Sequence, residues 1–438
     1  MEGLAQVLVQ GGLFVSASEP SGGPAVARMR QLGVRVHTGH SPRSYLGKAR
    51  WLVCDAGTSQ VDPHRLSARR RGLDVRTPAE CLAALLRRGI GLALAGGRDA
   101  SMAAAMIGWT LTRCGRDPTV VLASASAQLG GWARFGRGPH VVVDALIGGP
   151  STDWGTLAPR LAVMLDNPID CGVDGETDAW QGFVDSYPEA SPMLARAGSR
   201  LAARALRGPA GSVEWLALER GFDWWGADLR EERGRLRFRS FCKGRYVTEL
   251  RLQVPGRRNV LCALAAVAAC SRLGVPAAEI RQALEEFTGV SRNFESRGSY
   301  RGVTLVDDAG SNPAAVGEAL GLARQVFGDR RLWAVLTASA GGIDPEAQGR
   351  FAGVLALADF VVLVAKDSSD RLAQEVRALE AKLAAAGVWA RSVANLDAAV
   401  LELDRHLEPG DVLVTLGTGD VGTISDAFIR RLSRDRPD

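Results

Sequence analysis

The residues from Leu92 to Ser101, Leu-Ala-Leu-Ala-Gly-Gly-Arg-Asp-Ala-Ser, end an apolar run and open a stretch of small residues. A phosphate-binding loop belongs in such a place. The backbone N–H groups of a glycine-rich turn at a helix start cradle the phosphates, and a lysine and a hydroxyl follow. Gly96 and Ser101 supply the turn and the hydroxyl, but Ala100 holds the place of the lysine and Asp99 that of the second glycine. Asp99 puts a negative charge beside the phosphates, and two like charges about 4 Å apart repel by roughly 4 kcal/mol at an effective dielectric of 20. The plainer reading of the same residues is a strand-to-helix connection. Other chemistry is sparse. The five histidines are isolated, with no partner at metal-ligand spacing. The seven cysteines, Cys54, Cys81, Cys114, Cys171, Cys242, Cys262 and Cys270, form no C-x-x-C pair. Their odd count and apolar neighbours predict buried free thiols in a reducing compartment.

A chain of 438 residues is too long for one ordinary core, so two or three domains are expected. The 53 basic and 48 acidic residues are interspersed. The longest basic cluster, Arg69 to Arg71, reads as a solvated helix end, which argues against nucleic acid as a partner. No apolar run reaches the ~18 residues of a membrane span, and Glu2 with no basic start predicts no signal peptide. Residues 1–88 alternate short strands with helices, among them Pro78 to Gly89, whose proline suits a first helical turn. Residues 89–288 repeat this with larger units. Gly89 to Gly96, His140 to Gly148 and Leu161 to Asn167 read as buried strands, Ala100 to Gly115 as a helix, Glu249 to Gly256 as a strand and Asn259 to Gly274 as a helix. A tryptophan-bearing stretch between them reads as loop, as does Leu129 to Gly138. Residues 289–438 carry five more strands, Gly302 to Asp308, Arg331 to Ser339, Asp359 to Ala365, Val388 to Ala394 and Asp411 to Gly419, separated by helices. Such alternation predicts parallel sheets covered by helices, hence an α/β fold of three domains.

Four segments carry a family resemblance: Val254 to Ala266 (VPGRRNVLCALAA), Gly289 to Gly298 (GVSRNFESRG), Gly302 to Pro313 (GVTLVDDAGSNP) and Gly410 to Gly422 (GDVLVTLGTGDVG). In order and spacing the chain resembles the Mur ligases of peptidoglycan synthesis, and among them the UDP-N-acetylmuramate–L-alanine ligases. The resemblance implies a Rossmann-like N-terminal domain, a central P-loop-type domain and a C-terminal Rossmann-like domain. It also implies a bacterial, cytoplasmic setting. The implied chemistry is ATP-driven: a carboxylate takes the γ-phosphoryl group as an acyl phosphate, and an amine then displaces phosphate. Cations must gather around the moving phosphoryl group, and the family uses a lysine and magnesium with carboxylate and histidine ligands.

By that resemblance the nucleotide-binding residues kept are Gly96, Ser101, Asn259 for the adenine, Arg292, and Asp308 for the ribose. Positions where the family's group is replaced are Asp99 and Ala100 in the loop, Gly149 for a metal-binding Glu, and Cys171 for a metal-binding His. Others are Arg258 and Ser311 and Asn312 for histidines, and Ala340 and Ile343 for two arginines. Asp144, the acid that precedes Gly149 at the end of the apolar run, would need a shift of register to substitute at the metal-binding position. A thiol at Cys171 suits a hard, oxygen-seeking ion poorly. In the first domain Met1 aligns just after the family's glycine-rich loop for the UDP pyrophosphate, so either the start is misplaced or the first strand and its loop are absent, in which case the sheet loses its usual central strand. These replacements predict a pseudoenzyme: no catalytic residue, no metal and no cofactor, and a binding or regulatory role towards an unidentified protein partner or a cell-wall precursor. The alternatives are an active ATP- and Mg-dependent acid–amino-acid ligase with a rebuilt nucleotide site, and a metabolite-sensing protein.

Overall fold

The computed structural model describes residues 1–19, 23–39, 46–55, 57–145, 157–165, 192–199, 213–232, 235–338, 343, 345–365, 370–417 and 422–434. The chain divides into two compact units, Met1–Val290 and Ser291–Asp438.

The first unit opens with a helix, α1 (Glu2–Gln10). Two small parallel sheets follow. One pairs β1 (Ser16–Glu19) with β2 (Arg35–Thr38), around α2 (Pro24–Gln31). The other pairs β3 (Trp51–Val53) with β4 (Asp74–Arg76), around α3 (Pro63–Arg70). Among the described residues no strand joins the two pairs. α4 (Pro78–Leu86) then starts on a capping box between Thr77 and Glu80, with Pro78 in its first turn, a combination that fixes a helix start twice over.

A ten-stranded sheet dominates this unit. Its order is β14-β13-β12-β11-β10-β9-β5-β8-β6-β7, with β5 Ile90–Ala95, β6 Thr119–Ser126, β7 Gly131–Arg134, β8 His140–Asp144, β9 Leu161–Met164, β10 Met193–Arg196, β11 Val213–Ala217, β12 Trp224–Glu232, β13 Arg235–Cys242 and β14 Arg245–Leu252. From β6 to β12 neighbours run parallel, whereas β7 and the β12–β13–β14 meander are antiparallel. β8 and β9 are buried throughout, as strands covered on both faces must be; β9 is wholly apolar and β8 is apolar at Val141, Val142 and Val143 between His140 and Asp144. β13 alternates instead: Leu236, Phe238 and Ser240 are buried while Arg235 and Arg239 are exposed, the period-two signature of a sheet with one wet face. Helices α5 (Gly97–Arg113), α6 (Arg257–Arg272) and α7 (Ala277–Glu286) enclose one core with Leu92, Leu94, Val142 and Phe238. α1 and α4 lie in a second core with Ala93, Val143 and Met164. Gln6 of α1 serves β7 as a neighbouring strand would: its amide donates to Gly130 O and Ala133 O and accepts from Trp132 N and Ala133 N at 2.8–3.2 Å.

The second unit is a six-stranded sheet of order β15-β16-β20-β17-β18-β19. Its strands are β15 Glu295–Tyr300, β16 Val303–Asp308, β17 Leu332–Ala338, β18 Phe360–Ala365, β19 Trp389–Val393 and β20 Val412–Leu416. The helices are α8 Pro313–Phe327, α9 Pro345–Leu355, α10 Asp370–Ala385, α11 Leu396–His406 and α12 Gly422–Arg434. All pairs are parallel except β15–β16.

The sequence-based expectations need four corrections. α1 is a helix that the strand-helix alternation did not include. The tryptophan-bearing stretch expected as loop holds β10 to β13. The Leu129 to Gly138 segment contains β7, because Gly131, Ala133 and Arg134 pair with β6 and the Trp132 and Ala133 N–H groups donate to Gln6 of α1. β15 pairs antiparallel at the edge of a sheet expected to be wholly parallel.

Candidate functional site

Because β5, β8 and β10 run parallel within the sheet, Ala95, Asp144 and Arg196, their last residues, lie along one edge, the carboxyl edge where open α/β sheets bind ligands. The turn from β5 into α5 is a single residue. Gly96 has φ +126° and Gly97, already the first residue of α5, has φ +60°, so both occupy the region where glycine bears no Cβ penalty. The first turn of α5 has no side-chain cap and its N–H groups form a positive helix end.

Asp99 lies in that first turn and is only 4% exposed. Its Oδ1 is 2.9 Å from Arg258 Nε and its Oδ2 is 4.0 Å from Arg196 Nη1. Arg258 is the second residue of α6, another helix whose N-terminus has no side-chain cap. The Asp99 carboxylate thus faces two guanidinium groups, from a position in regular helix. Cys262 Sγ donates to Asp99 O at 3.4 Å, and burial pushes this thiol well above its usual range.

Ser101 Oγ donates to Asp144 Oδ2 in a short contact, and the same oxygen accepts Ala123 N–H at 3.1 Å. Both side chains are buried. A P-loop hydroxyl and an acid at the end of the adjacent strand are the pair that holds magnesium in P-loop enzymes. Sequence comparison placed Asp144 out of register with the family's metal-binding acid, and the strand pairing β5–β8, with Leu94 opposite Asp144, was the missing information. Among the described residues no group of three or more His, Cys, Asp or Glu could hold a metal ion. Magnesium asks for less, since one or two protein oxygens suffice when phosphates and water complete its shell. Ser101 and Asp144 fit it in donor type and position.

The remaining positions have other duties. Ala100 is 1% exposed and packs in the α5–α6 core. Asn259 Nδ2 donates to Pro255 O at 2.6 Å. In the second unit Asp308 accepts Phe294 N at 2.8 Å and Gly310 N at 2.7 Å, and Arg292 donates to Gly417 O at 2.5 Å and lies 3.5 Å from Asp307. Ser311 is exposed. Asn312 caps α8 by accepting Ala315 N at 2.9 Å, and Ile343 is buried in the core. Gly149, Cys171 and Ala340 lie outside the described residues.

The Mur ligase, glutamate ligase domain family matches residues 292–419. A UDP-N-acetylmuramate–L-alanine ligase of Solidesulfovibrio magneticus is 30% identical over 98% of this chain and 95% of its own length. Another from Kineococcus radiotolerans is 30% identical over 99% and 94%. Among solved structures, a UDP-N-acetylmuramate–alanine ligase from Thermotoga maritima superposes with TM-score 0.83 at 21% identity, covering 100% of this chain and 97% of that one. A murein peptide ligase from Psychrobacter arcticus gives 0.73 at 18% identity over 100% and 97%.

Proposed function

We propose that this chain, which belongs to the Mur ligase family and has its three-domain α/β fold, is an ATP-dependent ligase acting on a cell-wall precursor, with a nucleotide site rebuilt around arginine instead of lysine. The observation that carries this reading is the buried Ser101–Asp144 pair beside the uncapped start of α5. Arg258 and Arg196 bring positive charge to the first turn of α5 at Asp99, 26% and 30% exposed along their side chains. A guanidinium can grip phosphate oxygens in pairs, which a lysine cannot. Magnesium, when bound, would neutralise charge on the β- and γ-phosphates. Ser101 and Asp144 orient that end of the triphosphate, and the α5 N–H groups and the two arginines hold it. The substrate carboxylate then attacks the γ-phosphorus and ADP leaves. The amine attacks the acyl carbon, phosphate departs, and the amine gives up a proton.

The limits 1–88, 89–288 and 289–438 are the domain boundaries we propose, with Gly96, Ser101, Asn259, Arg292 and Asp308 as nucleotide contacts and the cytoplasm as the place of action. A second reading, a scaffold that binds a precursor or a partner protein without turnover, is favoured by one specific observation: Ala100 and Ile343, at positions of the family's cations, are core residues. The separating experiment supplies the purified chain with Mg-ATP, UDP-N-acetylmuramate and a set of amino acids, and measures ADP. Release that requires both the nucleotide sugar and an amino acid supports the ligase. Release no faster than without them leaves the scaffold.

A further inference from the structure

Asp99 is a carboxylate held by the groups a phosphate would use. It sits in the uncapped first turn of α5, 2.9 Å from Arg258 Nε and 4.0 Å from Arg196 Nη1. The arrangement is lopsided. The Asp99 side chain is 5% exposed while the two arginines keep 26% and 30% of theirs in solvent, so the cations face the outside and the acid closes them off from within. Resting on the reading of this place as a nucleotide site, we infer that Asp99 is a built-in competitor of the polyphosphate, a latch that holds Arg258 and Arg196 until a more highly charged anion draws them away.

The physical basis is an exchange of partners. A carboxylate offers one charge and two oxygens, whereas a polyphosphate offers several charges and oxygens that match the guanidinium fork. The exchange therefore favours a polyphosphate over a monovalent anion. The affinity seen in solution is the intrinsic affinity scaled by the fraction of molecules whose arginines are unlatched. Removing the Asp99 charge should raise that fraction without adding any contact to the ligand.

The test is calorimetric titration of the full chain with inorganic tripolyphosphate at low salt, in the wild type, Asp99→Asn, Asp99→Ser, Arg258→Gln and the double variant Asp99→Asn with Arg258→Gln. The two Asp99 variants are expected to bind about tenfold tighter than the wild type or better, and the gain is expected to vanish in the double variant. Serine tolerates a first helical turn, so it keeps the test open should the asparagine variant fold poorly, and each variant's melting is recorded first. Equal affinity in the wild type and a folded Asp99 variant overturns the latch, and so does a gain that survives Arg258→Gln or an absence of binding throughout. An Arg258-dependent gain without substrate-dependent ADP release keeps the latch and sinks the ligase reading. ADP release without the gain does the reverse.

Discussion

At the scale of single residues, the site is a set of exchanged partners. Asp99 and Arg258 are 159 residues apart in sequence and in contact in the fold. Reading Asp99 alone gave an unopposed negative charge. The pair gives a neutralised one, and nothing in either segment announces the other. Ala100 shows the opposite limit. It is 1% exposed within the core, so Ala100→Lys would force a long charged side chain into a filled space. We expect a loss of about 2–4 kcal/mol in unfolding free energy, measured by urea denaturation, and a neutral result would show that the side chain escapes to solvent. Asp144 is buried with two hydrogen bonds, and Asp144→Asn leaves the Ser101 hydroxyl and Ala123 N–H an uncharged acceptor. We expect that variant to remain folded, at a cost of about 1–3 kcal/mol, while losing Mg-dependent nucleotide binding.

The elements position these residues by close packing. Gly108 lets α5 lie on β6: a Cβ there would stand 2.9 Å from both methyl carbons of Val120, and Val120 is fully buried. Alanine's better helix propensity, worth about 1 kcal/mol, does not offset an overlap with a stiff, enclosed side chain. Gly108→Ala is expected to destabilise by about 1–2 kcal/mol net, and Val120→Ala in the same chain should recover part of it, a coupling that a double-mutant cycle reads directly. On the far side of the same core, Glu214 of β11 ties β12 and α6 together. It accepts Trp224 Nε1 at 2.8 Å and pairs with Arg272 at 2.6 Å and Lys243 at 3.2 Å. Burial alone would raise its pKa, but the bonds from Arg272, Trp224 and Lys243 outweigh it and bring it from 4.5 down to about 2. A depressed carboxylate stabilises the fold above its unfolded pKa and loses that contribution as pH falls through the folded one. The window is therefore pH 4.5 down to about 2. Glu214→Gln should lower stability at pH 7 and converge with the wild type at the acid end of that window, as urea midpoints will show; a constant gap at all pH values would contradict the assignment. The strands that hold this network were not legible in the sequence. β12 and β13 lie in a polar, tryptophan-bearing stretch with no unbroken apolar run, and their burial comes from pairing with each other and with β14.

For the whole molecule, legibility follows the same division. Doubly covered strands such as β5, β8 and β17 declare themselves, because burial on both faces demands continuous apolar residues, and the β/α alternation gave the α/β class. The order of strands in the sheet did not follow from the sequence, and the site depends on it. Ser101 meets Asp144 because β8 lies beside β5, and Arg196 approaches Asp99 because β10 ends on the same edge. The fold thereby brings Asp99 to Arg258 and Arg196, and Ser101 to Asp144, at the carboxyl edge of one sheet, and we expect these groups to bind a magnesium nucleotide. Calorimetric titration of the full chain with Mg-ATP, in the wild type and Asp144→Asn, tests it most directly. We predict saturable binding in the wild type that is lost in the variant. No saturable heat in the wild type up to millimolar nucleotide, or binding that Asp144→Asn leaves unchanged, would contradict it.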